Sequence, residues 1–355
     1  MRQFILSAHK YISLSLVVIW LLQIASGFIV LFAPEINNLL FYKPHVKLDL
    51  PAVEKSLSGL EQRYPAWKPR YFFTTDAEAS RFDVYFYNMK EDGLGSRAFR
   101  IDGDGEVLAD RMMKYDVFNR LSELHEMLWI EDYGGALIGI SGIFLTTNLV
   151  LGLVILWPNR RNWKRFFEWP STAPAKIKFY HWHRTVGLCV VIPAFFLCFT
   201  GVLNAYLGDF RQIFGDPWPE PQVAVEGRAP LRQGIGFTEA METAFALYPD
   251  AKISIVTLPD DAAPYYAIRL LQEGEVRTVY GNTRVYVDSA TKEILGNQDQ
   301  LKAPFKAKLF SSFFALHVGN WGGLSMRILI LITGGALLFM SVIGIALWWK
   351  RRNPI

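Results

Sequence analysis

Hydrophobic and polar positions divide the chain into two kinds of territory. Residues 11–33, 136–157, 186–207 and 328–349 are almost unbroken apolar sequence, nearly free of charge. Crossing a bilayer takes about 20 such residues. One run of this kind could be a buried helix of a soluble protein; four in one chain predict four transmembrane helices. The first is too long for the apolar core of a secretion signal, and no small-residue cleavage site clearly follows it, so it reads as a retained helix. Between the runs the period changes. Residues 51–64 and 237–248 read as amphipathic helices ending at Tyr-Pro. Strand-like runs follow each: RYFFTT, RFDVYFY and RAFRID, then KISIVTL, YYAIRLL and TRVYVD. Each set closes on a turn and a short strand, IDGDGEVLAD or VDSATKEILGN, which predicts two small α+β domains.

The expected division is therefore a first transmembrane helix at 1–34 and a first α+β domain at 35–120. A segment with its transmembrane helix at 121–165 and a cytoplasmic loop with the third helix at 166–207 follow. The second α+β domain covers 208–310, and 311–355 ends the chain with the fourth helix. Orientation follows from Lys and Arg near the helix ends. Arg2 and Lys10 precede the first helix, PNRRNWKR with Lys176 and Lys178 separates the second from the third, and KRRN follows the fourth. All fall on one side, expected to be the cytoplasm with both termini, which leaves the α+β domains outside it. These clusters also account for the net charge of +4, and nothing points to nucleic acid. The two cysteines, Cys189 and Cys198, lie on roughly opposite faces of the third helix; there is no disulfide framework and no C-x-x-C-H attachment motif.

The sequence is also written twice. Gly27 follows His9 by 18 residues, as Gly201 follows His183, and each glycine comes after a small hydroxyl residue, Ser26 or Thr200. A base follows each histidine (Lys10, Arg184), and a small residue stands four positions on (Ser13, Gly187). The later parts match too: from His125 to Gly152 and from His317 to Gly344 is 27 residues, and to Trp157 and Trp349 it is 32. Two parallel repeats related by an axis along the membrane normal are expected.

Symmetry then sorts the histidines. His9 and His183 fall at the cytoplasmic end, His125 and His317 at the other, so each pair faces itself across the axis. Two opposed imidazoles form an axial ligand set for haem iron. Ser13 and Gly187, one turn from their histidines, are expected to leave room for a porphyrin, and Lys10 and Arg184 to meet its propionates. Two histidines are too few for a structural zinc site, and the acids beside His125, Glu123 and Glu126, have no counterpart beside His317. His181 points about 200° away from His183; it is the alternative ligand, read otherwise as an interfacial residue. His45, without a repeat partner, reads as a loop residue.

HRTVGL, VYVDSATKEILG and SVIGIALWWKRR, in that order, resemble the PepSY-associated transmembrane helix family over nearly the whole chain. HKYISL and VLGLVILWPNRR are weaker copies, and Lys292 stands where that family's Val-Asp-x-x-Thr-Gly has glycine. The resemblance implies a bacterial inner-membrane helical bundle with two periplasmic PepSY-like domains, carrying two b-type haems. It implies electron transfer across the membrane to ferric siderophore iron in the periplasm. The donor would be a flavoprotein reductase or a quinol. Three other classes stay open: a PepSY binding or inhibitory module anchored in lipid, a haem or metal transporter, and an electron-delivering subunit for a periplasmic enzyme. No catalytic triad is present; the chemistry would belong to the haem.

Overall fold

A computed structural model describes residues 1–40, 46–76, 80–88, 96–157, 167–168, 170–223, 234–277 and 280–352. His45 and the basic run at 158–165 lie outside the described residues. The helices are α1 (Arg2–Leu31), α2 (Ala33–Leu40), α3 (Leu50–Arg63), α4 (Val117–Met127), α5 (Gly134–Leu156), α6 (Ala175–Ala205), α7 (Leu207–Phe214), α8 (Phe237–Leu247), α9 (Phe305–His317) and α10 (Gly323–Arg352). The strands are β1 (Trp67–Asp76), β2 (Arg81–Asn88), β3 (Ser96–Ile101), β4 (Val107–Met112), β5 (Lys252–Thr257), β6 (Tyr265–Leu271), β7 (Thr283–Asp288) and β8 (Ile294–Gln298). Two compact units result: a helical one of Met1–Leu31, Leu121–Phe214 and Leu316–Ile355, and a sheet unit of Phe32–Arg120 and Gly215–Ala315.

In the helical unit α1, α5, α6 and α10 are long and apolar enough to cross a membrane. α1 packs on α5 and α10, and α6 packs on the same two, so α1 and α6 stand at opposite corners of a four-helix bundle. Val18, Ile192, Phe196 and Ile332 are exposed on its outside. Between helices in lipid the hydrophobic effect gives little, so small and polar residues make the contacts. Ser26, Ser141, Asn148, Thr200 and Thr333 are accordingly buried. Gly139 accommodates the Tyr206 ring and Gly334 the Phe28 ring; a Cβ there would stand 2.4 and 2.5 Å from them.

α1 and α6 start at Arg2 and Ala175, ahead of the apolar runs, so His9 and His183 are helical residues. At the other end the chain must break, because a straight extension of α5 would carry His125 about 16 Å beyond the apolar run at 1.5 Å per residue. Between α9 and α10 glycines make the break: Gly319 and Gly323 take positive φ, 73° and 58°. Between α4 and α5 the reversal falls instead on Leu128 and Trp129, at φ 54° and 59°. Gly134 there serves close approach, since a Cβ would meet the Met127 carbonyl oxygen at 1.8 Å.

The two segments expected as separate α+β domains form one unit. Each supplies a four-stranded antiparallel sheet and a helix, and β1 pairs with β5 through Phe72 opposite Val256, joining them in the order β4-β3-β2-β1-β5-β6-β7-β8. Alternation puts Phe72, Val84, Phe99, Val256, Ile268 and Val285 on one face, where α3 and α8 cover them with Val53, Leu57, Phe237 and Met241. A single core spans both halves. On the opposite face, Arg100 forms twin hydrogen bonds to Asp83 at 2.8 and 2.9 Å, and Arg111 bonds Asp83 at 2.6 Å and Asp116 at 2.9 Å. Lys292, at the position where glycine is usual, has φ 64°, the left-handed backbone glycine favours.

Candidate functional site

The four repeat-paired histidines come together in two pairs inside the helical unit. The ring centres of His9 and His183 are 6.3 Å apart, with their planes at 72°. Those of His125 and His317 are also 6.3 Å apart, at 37°. The first pair joins diagonal helices at the end of the bundle that carries Arg2, Lys176, Lys178 and Lys350; the second lies toward the end where α1 and α6 finish.

All four rings are held alike. His9 Nδ1 bonds the Asn148 carbonyl at 3.1 Å and His183 Nδ1 that of Met340 at 3.2 Å. His125 Nδ1 bonds the Gln23 carbonyl at 2.8 Å and His317 Nδ1 that of Leu197 at 3.1 Å. A carbonyl only accepts, so each Nδ1 carries the hydrogen and each Nε2 keeps its lone pair. Metal-binding histidines are oriented by such a second bond. Ser26 and Thr200 hydroxyls stand 3.4 Å from the Nδ1 of His125 and His317, again in parallel.

The sequence explains how an imidazole reaches a helix carbonyl. Each accepting residue lies four positions before a glycine: Asn148 before Gly152, Met340 before Gly344, Gln23 before Gly27 and Leu197 before Gly201. Residues four apart share a helix face, and the missing side chain lets the ring lie flat there. A Cβ would stand 2.8 Å from His125 Cε1 at Gly27, 2.9 Å from His317 Cε1 at Gly201, 3.2 Å from His9 Cε1 at Gly152 and 3.6 Å from His183 Cε1 at Gly344. The matched His-to-Gly spacings flagged these glycines; the carbonyls were missed, although counting back one helical turn from each glycine finds them.

The other candidates are placed differently. His181 is buried, and its Nδ1 accepts from Arg184 at 3.1 Å, the reverse of the other four. Of His181 and His183, only His183 pairs with His9. Ser13 and Gly187 each meet a neighbouring helix. Ser13 donates to the His9 carbonyl at 2.7 Å and accepts from Asn148 at 2.8 Å, while the Met340 side chain fills the room at Gly187. Lys10 lies over the Tyr11 ring at 4.2 Å. His125 and His317 lie outside the membrane-spanning helices; burial lowers the pKa of both, which keeps them neutral and able to bind a metal. Among the described residues no cluster of three or more His, Cys, Asp or Glu could hold a metal ion, so each site offers two imidazoles.

Two imidazoles fit a haem by a simple measure. With metal–nitrogen bonds of about 2 Å and roughly 1 Å more to each ring centre, ligands on opposite sides of one iron stand about 6 Å apart, centre to centre. Both pairs have that separation, with Nε2 free of the orienting bond.

A family model described as PepSY-associated TM region matches residues 6–351. Among curated proteins no match is found.

Proposed function

This chain belongs to the PepSY-associated TM region family, and we propose that it is an inner-membrane haem b oxidoreductase. It takes electrons from a cytoplasmic flavoprotein or a membrane quinol and delivers them to the iron of a ferric siderophore in the periplasm. The observation that carries this reading is the fourfold repetition: four imidazoles, each locked by Nδ1 to a helix carbonyl one turn before a glycine, opposed in pairs at 6.3 Å. A structural role for any one histidine would not require the same device four times.

Haem, when bound, supplies reversible one-electron transfer at iron. The protein's own work is positional. His9 with His183, and His125 with His317, would each hold one haem through Nε2. The Nδ1 bonds fix the tautomer and raise ligand basicity. Lys10 and Arg184 place positive charge at the His9–His183 end for haem carboxylates. Between the pairs, α1 alone spans about 27 Å from His9 to Gly27 at 1.5 Å per residue, close to the roughly 30 Å hydrocarbon core. One site thus belongs near each face. The positive-inside rule assigns the basic end and both termini to the cytoplasm and the sheet unit to the periplasm.

The test is reoxidation. Purified protein, reduced anaerobically, should show b-type bands that bleach when a ferric siderophore is added, with ferrous iron captured by a chelator. Bands that bleach only with a periplasmic protein extract would replace the siderophore by a partner enzyme. An absence of bands would leave a membrane-anchored PepSY binding module.

A further inference from the structure

Trp20 is 3% exposed and is the one buried Trp, Tyr or Phe among the described residues of the helical unit. Its Nε1 donates to the Ser141 hydroxyl at 3.0 Å and carbonyl at 3.3 Å, and Ser141 is itself buried. Those bonds fix the plane of the indole as well as its position. Trp20 comes 11 residues after His9 and 7 before Gly27. With 3.6 residues per turn, both offsets return to within about 20° of the same face. One face of α1 therefore carries His9, then the indole about 16 Å along, then Gly27 about 10 Å further, at 1.5 Å per residue. His125 lies over that glycine.

The repeat makes the placement informative. The counterpart of Trp20, 11 residues after His183 and 7 before Gly201, is Ala194, which is fully buried. Ala194 packs with Leu149, Val191 and Leu337, all aliphatic. α1 and α6 stand diagonally in the bundle, so the two equivalent positions carry one large ring and one methyl group. At these two equivalent buried positions only α1 carries a π-system; the rings of α6, Phe195, Phe196 and Phe199, are half-buried or exposed. Packing alone would be met by aliphatic side chains, as it is around Ala194.

We infer that Trp20 electronically couples the two histidine pairs, an inference that rests on the haem function proposed above. In the coupled step one electron leaves ferrous iron at one pair, which becomes ferric, and reduces ferric iron at the other. No bond is made or broken, no proton moves, and the indole is left unchanged.

The test compares Trp20→Leu, Trp20→Phe and Ser141→Ala in full-length protein reconstituted in vesicles. Electron transfer between the haems is followed by transient absorption after photoinjection of an electron. Haem content and the low-spin EPR signals are measured alongside. Trp20→Leu should slow the transfer on the order of tenfold, read directly as a rate ratio. Trp20→Phe should slow it less, and Ser141→Ala least, with haem content and EPR signals unchanged in all three. A two-haem Trp20→Leu protein that transfers at the wild-type rate would overturn the inference. If the leucine variant loses haem, an unchanged rate in Trp20→Phe overturns it equally. A wild-type protein without haem would overturn the function and this inference together, whereas unchanged rates in two-haem variants overturn this inference alone.

Discussion

Gly27, Gly201, Gly152 and Gly344 set how closely each imidazole lies on its partner helix, and they do so unequally. At Gly27 and Gly201 a Cβ would come within 2.9 Å of a histidine carbon, closer than real contacts allow; at Gly344 the distance is 3.6 Å, ordinary contact. Gly201→Ala should therefore displace His317 and lose the haem of that pair, while Gly344→Ala should retain both, as read by haem content and visible spectra. Much of this was legible in sequence, because a histidine and a glycine at fixed offsets recur in both halves. What stayed hidden was the carbonyl: every residue has one, so Gln23, Asn148, Leu197 and Met340 carry no side-chain mark of their part. Ser13 and Gly187 also recur at matched spacing, but their partners, the Asn148 amide and the Met340 side chain, come from other helices and leave no mark in the local sequence.

Among the elements, the sheet offers the sharper tests. Asp83 joins Arg100 and Arg111 in the buried face, so Asp83→Ala removes the carboxylate that two guanidinium groups share, while Arg111 keeps Asp116. Breaking a buried pair in this way costs about 3–5 kcal/mol, and chemical denaturation of full-length protein followed by strand circular dichroism should show it. Asp110 gives a pH signature. Its twin hydrogen bonds from Arg97, both 2.6 Å, hold its carboxyl below the usual range. The stabilisation is thus present above the unfolded carboxyl value of about 3.9 and is lost as pH falls through the lower folded value. Asp110→Asn should flatten that acid limb of the stability profile. Alternation of apolar and polar residues revealed the strands within each half. The β1–β5 pairing left no such mark, since two edge strands far apart in sequence meet through backbone groups common to all residues. The reversal at Leu128 and Trp129 was hidden for a related reason: positive φ at a non-glycine residue is imposed by tertiary packing, not announced by composition.

At the scale of the whole molecule, two imidazole pairs lie one toward each end of a four-helix bundle. Four membrane helices were plain from hydropathy, because few other structures need runs of about 20 apolar residues. The union of both polar segments in a single sheet unit was not, since each had a complete strand and helix pattern of its own. The most direct measurement is the haem-to-protein ratio of the purified membrane protein, taken for the wild type and for His183→Ala and His317→Ala separately. The account predicts two haems b per wild-type chain and one in each variant, with the two variants retaining spectroscopically different haems. A wild-type preparation from haem-replete cells that binds none, or variants that both keep two, would contradict it.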